Sequence, residues 1–348
     1  MLAAALSFHA GQQPFSFVAS HITAQVDVES KTIRGLVWYP VDAGVAEQPQ
    51  WIGESGNHLF QAGNAAVGAP IAASPQKFPL ILLSHGSGGS ARQMAWLGTA
   101  LARAGYIAVA IDHPGNTGAG EPTVQGFTLW WLRARELSMS LDTVLADPVF
   151  APHIDRSRIG AAGFSVGGYT VIGLAGARVD FAALQAFCAK NPRVGNCQSP
   201  PEFPGLVTKM SALLKSDPAY ASAVAKSNDS VADPRVRAVY AIAPSAVDSV
   251  TLASLKKIAV PVRIAFGSND TTLAPRQNAL RYANAIRGAT VLSIPGAGHY
   301  TFLDTCTTAG KRTIPGPVCN DARGLDRSAA HAQVVNDAIA FFERTLNP

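Results

Sequence analysis

Charged residues are scarce in this chain: Asp, Glu, Lys and Arg together make up 15% of its 348 residues. The 28 Lys and Arg residues give a formal net charge of +5. They are scattered, with no basic run, which excludes the positive stripe that a nucleic-acid binder presents. The local clusters, Arg133 with Arg135 and Lys256 with Lys257, lie in amphipathic segments and read as solvated helix faces. No apolar stretch reaches the roughly 18 residues of a membrane-spanning helix. Cysteine is limited to four residues, none at zinc-knuckle or redox-motif spacing and none beside a histidine cluster. A GK[ST] phosphate loop, a full GxGxxG fingerprint, internal repeats and low-complexity tracts are also missing. The sequence therefore asks for no metal, nucleotide or other cofactor.

Apolar material is plentiful. At 48% hydrophobic residues the chain has ample substance for a core, and its length suits one α/β unit carrying an insertion. The cysteines fall in two close pairs, Cys188 with Cys197 and Cys306 with Cys319, both in loop-like sequence. Four cysteines allow three connectivities, and two local disulfides are the expected arrangement. Disulfides imply an oxidising compartment, secreted or periplasmic. The apolar opening "MLAAALSFHA" lacks a basic n-region, and residues 1–20 read as an N-terminal extension of the kind a truncated secretory signal leaves.

Two β-rich segments, residues 21–28 and 32–39, flank a turn at 29–31 and read as a hairpin. Residues 41–77, rich in Gly, Ala, Pro and Gln, read as a loop. From "FPLILLS" onward, apolar strands at 80–84, 106–111, 158–162, 236–242, 260–266 and 290–294 alternate with helical segments at 91–104, 129–146, 166–177, 275–286 and 327–346. Such alternation indicates an α/β fold with a mostly parallel central sheet covered by helices on both faces. Its ligands belong at the carboxyl ends of the strands. The alternation breaks over residues 179–233, which read as an inserted helical lid within a domain running from 21 to 348.

The residues just past each strand carry the chemistry. Gly163-x-Ser165-x-Gly167 is short enough to arise by chance as a plain glycine turn, but here it stands where a strand hands over to a helix. That is the setting of a nucleophile elbow, and Gly163, Gly167 and Gly168 give the turn its room. "SHGSGGS", residues 84–90, follows another strand; the backbone N–H of Ser87 or Gly88, together with that of Val166, supplies two donors for a developing oxyanion. His85 precedes these glycines and reads as a loop-orienting side chain. Asp112 and His113, adjacent in "IDHPGNTG", lack a third ligand and read as loop-rigidifying. Asp270 and His299 each lie beyond a later strand. The order Ser165, Asp270, His299 suits a nucleophile, an orienting carboxylate and a general base. His331, inside the terminal helix, and Asp304, with no strand before it, are the weaker competitors.

"SHGSGG", "DHPGNTG", "GFSVGGYT", "GSND" and "GAGHYTF" together resemble the α/β-hydrolase superfamily, in the branch of predicted dienelactone hydrolases related to platelet-activating-factor acetylhydrolases. The resemblance implies the α/β-hydrolase fold, Ser165 as nucleophile, His299 as base, and Ser87 and Val166 as oxyanion donors. Two departures bear on the substrate. Dienelactone hydrolases carry cysteine where this chain has Ser165. The acetylhydrolases place their acid after the strand that follows the nucleophile unit, where this chain has "AIAPSAV" and no carboxylate before Asp248, so Asp270 is the expected acid.

The function expected is hydrolysis of a carboxylic ester, small or lipid-like, through an acyl-enzyme intermediate. Acyl transfer and amide cleavage use the same residues and stand as alternatives, and a non-catalytic scaffold would have no reason to keep all three side chains. Phe181, Phe187, Phe203 and Leu206 of the lid, with Trp130 and Trp131, are candidates for an apolar acyl pocket. The sequence carries no signal of oligomeric state.

Overall fold

The segment Phe78–Ser84 is apolar at nearly every position and buried at all of them, as an interior strand covered on both faces must be. The computed structural model describes residues 8–19, 31–193, 197–200 and 202–347. Its strands are β1 (Phe8–Ala19), β2 (Lys31–Asp42), β3 (Gln48–Glu54), β4 (Asn57–Val67), β5 (Phe78–Ser84), β6 (Ile107–Ile111), β7 (Ile154–Phe164), β8 (Val236–Ile242), β9 (Val262–Gly267), β10 (Thr290–Ile294) and β11 (Thr305–Cys306). Its α-helices are α1 (Ala95–Arg103), α2 (Val124–Thr128), α3 (Arg133–Ala146), α4 (Val166–Leu174), α5 (Phe181–Lys190), α6 (Leu206–Ser216), α7 (Pro218–Ala225), α8 (Leu252–Leu255), α9 (Ala279–Ala285), α10 (Thr308–Thr313) and α11 (Arg327–Leu346).

The sheet runs β10-β9-β8-β7-β5-β6-β2-β1-β4-β11, with β3 paired to β4. β5 to β10 are mutually parallel, and β2 joins β6 antiparallel. Alternate residues of β5 feed different cores, as the strand period of two requires. Leu80 and Leu82 pack with α3, α4 and α9, whereas Ile81 and Leu83 pack with α1 and α11. The chain reverses direction across the sheet at β5, flanked by β6 and β7, and such a switch point opens a crevice at the carboxyl ends of the strands.

Three expectations change. Residues 8–19, read as part of an extension, form β1, which pairs along its whole length with β2. Its small and polar residues, in "FHAGQQPFSFVA", hide the strand pattern. The other expected hairpin arm, residues 21–28, lies outside the described residues. Residues 41–77 contain the hairpin β3–β4 rather than only loop. Gly53, Gly56 and Gly63 adopt φ of +116°, +82° and +79°, and the bulged register they accompany obscures any alternation. Arg133, read as a solvated residue, is 2% exposed.

Residues 181–225 hold α5, α6 and α7 between α4 and β8. Phe181, Leu184, Tyr220 and Val224 pack with Leu129, Trp131 and Tyr169 in a separate small core. Cys188 is bonded to Cys197 and Cys306 to Cys319. Among the described residues no helix is long and apolar enough to cross a membrane.

Candidate active site

Ser165 stands between β7 and α4 with φ of 56° and ψ of −118°, a strained conformation for a residue with a side chain. The crowding around it explains the glycines. A β-carbon on Gly163 would lie 2.2 Å from the Gly167 carbonyl oxygen, and one on Gly167 would lie 2.0 Å from that of Ser84. Backbone bonds fix the turn: Ser165 N–H donates to Ile242 (2.8 Å), and its carbonyl accepts from Ser245 (3.1 Å). The serine hydroxyl is thereby aimed at the crevice beyond the strand ends.

His299 and Asp270 arrive there from the turns after β10 and β9. The His299 Nε2 lies 3.1 Å from Ser165 Oγ, and its Nδ1 lies 2.8 Å from Asp270 Oδ2. A carboxylate only accepts, so Nδ1 carries the proton and Nε2 is left to accept from the serine hydroxyl. The second carboxylate oxygen, Oδ1, accepts the Leu273 N–H at 2.7 Å, which locks the orientation of Asp270. The imidazole packs against the Phe164 ring at 4.9 Å between centroids. Asp270 and His299 are 4% and 6% exposed, so water competes little for these bonds.

Of the two glycine-loop donors, Gly88 is already committed, since its N–H donates to Asn116 Oδ1 at 2.7 Å. Ser87 and Val166 both line the cavity over Ser165, and among the described residues neither backbone N–H has a partner within the chain. Asn116 carried no sequence signal beyond its place in a glycine-rich loop.

That cavity, about 680 Å³, is bounded by Phe60, Phe127, Trp130, Leu184, Leu206, Glu202 and Val318 among others. Trp130 and Leu206 therefore line it, as expected of pocket residues. Phe181 and Trp131 instead form the small core beneath the inserted helices. Phe187 is exposed, and Phe203 packs edge-on against Phe127. Glu202 and the wall from the second disulfide loop were not foreseen.

The competing residues lie elsewhere. His331 Nε2 donates to the Thr301 carbonyl at 2.8 Å, and burial holds its pKa down to about 4. Asp304 is fully buried, which pushes its carboxyl well above the usual range. Asp112 caps the start of the segment before α1 by accepting the Ala91 N–H at 2.8 Å. His113 bonds Glu136 and Ser84, and its burial holds the ring neutral. Among the described residues no group of three or more His, Cys, Asp or Glu is placed to hold a metal ion.

Comparison with known proteins agrees with this architecture. The model described as "Alpha/beta hydrolase family" matches residues 80–309, and that described as "Platelet-activating factor acetylhydrolase, isoform II" matches residues 7–123. Over 105 residues the chain is 36% identical to cutinase est2 of Thermobifida alba, a stretch covering 30% of this chain and 32% of that protein. It is 33% identical over 105 residues to cutinase cut1 of Thermobifida fusca, covering 30% of each. The chain thus matches only about a third of the length of these cutinases. A solved structure of a ferulic acid esterase from Streptomyces cinnamoneus superposes with a TM-score of 0.65 at 20% identity, covering 99% of this chain and 92% of that one. At that identity the likeness is one of fold.

Proposed function

The chain belongs to the alpha/beta hydrolase family, and from that premise we propose that it is a serine esterase cleaving carboxylic esters through an acyl-enzyme. The observation that carries the reading is the unbroken line of hydrogen bonds from Ser165 Oγ through His299 to Asp270, at the floor of a cavity of about 680 Å³. In this mechanism Ser165 Oγ attacks the ester carbonyl while His299 Nε2 takes its proton, and Asp270 stabilises the imidazolium. The Ser87 and Val166 N–H groups receive the negative charge on the carbonyl oxygen. A preorganised donor of this kind is worth about 3 to 4 kcal/mol of barrier. Collapse of the tetrahedral intermediate expels the alcohol, which takes the proton from His299. Water activated by the same imidazole then releases the acid.

The names of the relatives, cutinases and a ferulic acid esterase, support an ester as substrate. Trp130, Leu184 and Leu206 supply an apolar wall suited to the acyl group, with residues 179–233 as its lid. Two disulfides support a life outside the reducing cytoplasm. The experiment is a fluorophosphonate probe combined with nitrophenyl esters of graded chain length and their matching anilides. Labelling and ester turnover, both abolished in Ser165→Ala, are expected, with anilides turned over far more slowly. A folded Ser165→Ala variant that still hydrolyses the esters would refute the reading.

A further inference from the structure

Below the glycine loop lies a buried polar cluster that the catalytic steps above do not use. Ser84, His85, His113, Arg133 and Glu136 are all under 9% exposed. The Arg133 Nη2 donates to the His85 carbonyl. His85 Nε2 accepts the His113 backbone N–H at 3.2 Å, so its proton sits on Nδ1, which donates to the Gly86 carbonyl at 2.7 Å. That same carbonyl also accepts from Gly89 N–H at 3.2 Å. His113 in turn bridges Glu136 Oε2 (2.5 Å) and Ser84 Oγ (2.9 Å). Two consecutive carbonyls, those of residues 85 and 86, are therefore drawn inward by side chains.

The consequence follows from peptide geometry. In a trans peptide the C=O and N–H point in opposite directions, and no peptide bond among the described residues is cis. Pulling the Gly86 oxygen into the interior turns the Ser87 N–H of the same unit outward, toward the cavity that Ser87 lines. A β-carbon on Gly86 would be 3.4 Å from the Ser165 β-carbon, so this unit lies beside the nucleophile. We propose that His85 is a positioning residue for ester hydrolysis: its Nδ1–H, seated by Arg133 and His113, fixes the peptide that presents the Ser87 N–H to the oxyanion. Burial and the neighbouring Arg133 keep the ring neutral, so Nε2 stays free to accept the His113 N–H while Nδ1–H holds the Gly86 carbonyl. An arginine taken this far out of water is costly, and holding the oxyanion loop gives it a use. The inference rests on the esterase reading.

The test exploits amide geometry. In His85→Asn the amide nitrogen reaches the place of Nδ1, whereas in His85→Gln it reaches that of Nε2. With a short nitrophenyl ester, His85→Leu and His85→Gln should lower kcat about 100-fold with KM nearly unchanged. His85→Asn should restore kcat to within about tenfold of the parent. A merely structural imidazole would not rank Asn above Gln at constant KM. Unchanged kcat in folded His85→Leu, Asn no better than Gln, or a loss confined to KM would each overturn the inference. If His85→Leu does not fold, the Asn and Gln pair decides. If none of the three folds, Arg133→Lys must lower kcat at constant KM, and failure to do so overturns it. Ester turnover surviving in Ser165→Ala would instead sink the esterase reading itself, so the two failures are distinguishable.

Discussion

The ring of His331 stacks on the indole of Trp96, with centroids 4.3 Å apart and planes inclined by 19°. The stack joins α1 to α11. Burial lowers the His331 pKa from 6.5 to about 4, so the unfolded chain binds a proton between these values that the folded chain refuses. Stability is then fully present above pH 6.5 and is lost as pH falls toward 4, by up to about 3 kcal/mol. Thermal melts of His331→Gln, which keeps a donor for Thr301 but does not titrate, should show a shallower decline from pH 7 to pH 4.5. Parallel curves for parent and variant would disprove the linkage.

Asp304 titrates with the opposite sense. Both its carboxyl oxygens are buried without a hydrogen-bond partner among the described residues, and burial raises its pKa well above 3.8. The protonated form is the one the fold accepts, so stability is complete below the unfolded pKa and declines as pH rises through the folded one. Asp304→Asn should raise the melting temperature at pH 8, by an amount corresponding to roughly 1 to 3 kcal/mol. The gain should shrink toward pH 4. Esterase activity should stay within about twofold of the parent, since Asp304 touches neither His299 nor Ser165.

Asp270→Asn should behave otherwise, for a reason visible in the bonds. The Leu273 N–H needs an acceptor where Oδ1 now stands, so the asparagine oxygen turns to Leu273 and its NH2 group faces His299 Nδ1. That forces the proton onto Nε2, where it can no longer accept from Ser165. A fall in kcat of about 10⁴-fold is expected, the size seen for the equivalent change in serine proteases, with the melting temperature little altered. A loss of less than tenfold would show that Asp270 is not the orienting acid.

The second disulfide shapes the cavity. Cys306 and Cys319 are 13 residues apart and pack with Phe60 of β4, with Val318 and Ile52 alongside. Phe60 and Val318 both line the cavity. The double variant Cys306→Ser with Cys319→Ser should lose about 3 kcal/mol in denaturant titration. Its KM should rise more for long-chain than for acetyl esters. A uniform change across chain lengths would show that this wall does not contact the acyl group.

Much of the site was legible because it stands where apolar strands stop. Ser165 and Asp270 each follow an apolar run that reads as an interior strand, His299 follows the shorter run of β10 at the sheet edge, and the fold brings these three together. The glycine loop was legible for the same reason; its residues alone left Ser87 and Gly88 open, the family resemblance pointed to Ser87, and the physical difference between them is the Asn116 side chain that occupies the Gly88 N–H. The supporting cluster stayed hidden for an electrostatic reason. Arg133 and Glu136 in "RARELSMSLD" look like a solvated helix face, and ties such as those to His85 and His113, which join residues distant in sequence, help make their burial tolerable. β1 and the β3–β4 hairpin were obscured because small residues, Gln and left-handed glycines carry no alternation. Their strand identity comes from pairing partners distant in sequence.

The elbow itself yields the sharpest test of packing. A β-carbon on Gly167 would stand 2.0 Å from the Ser84 oxygen and 2.7 Å from that of His85. These atoms are backbone, and Ser84 is held in register against Gly163 by the β5–β7 pairing, so neither side can give way by a side-chain rotation. The alternative is to shift β5, and with it the loop that carries Ser87. Gly167→Ala should therefore cost more than about 4 kcal/mol and leave no measurable ester turnover, even where some protein folds. Gly44, with nothing within 4 Å of its added β-carbon and an ordinary φ, is the control, and Gly44→Ala should match the parent in both melting temperature and kcat. If Gly167→Ala is as well tolerated as Gly44→Ala, the close approach of the elbow to β5 is wrong, and the placement of Ser165 beneath the Ser87 N–H falls with it.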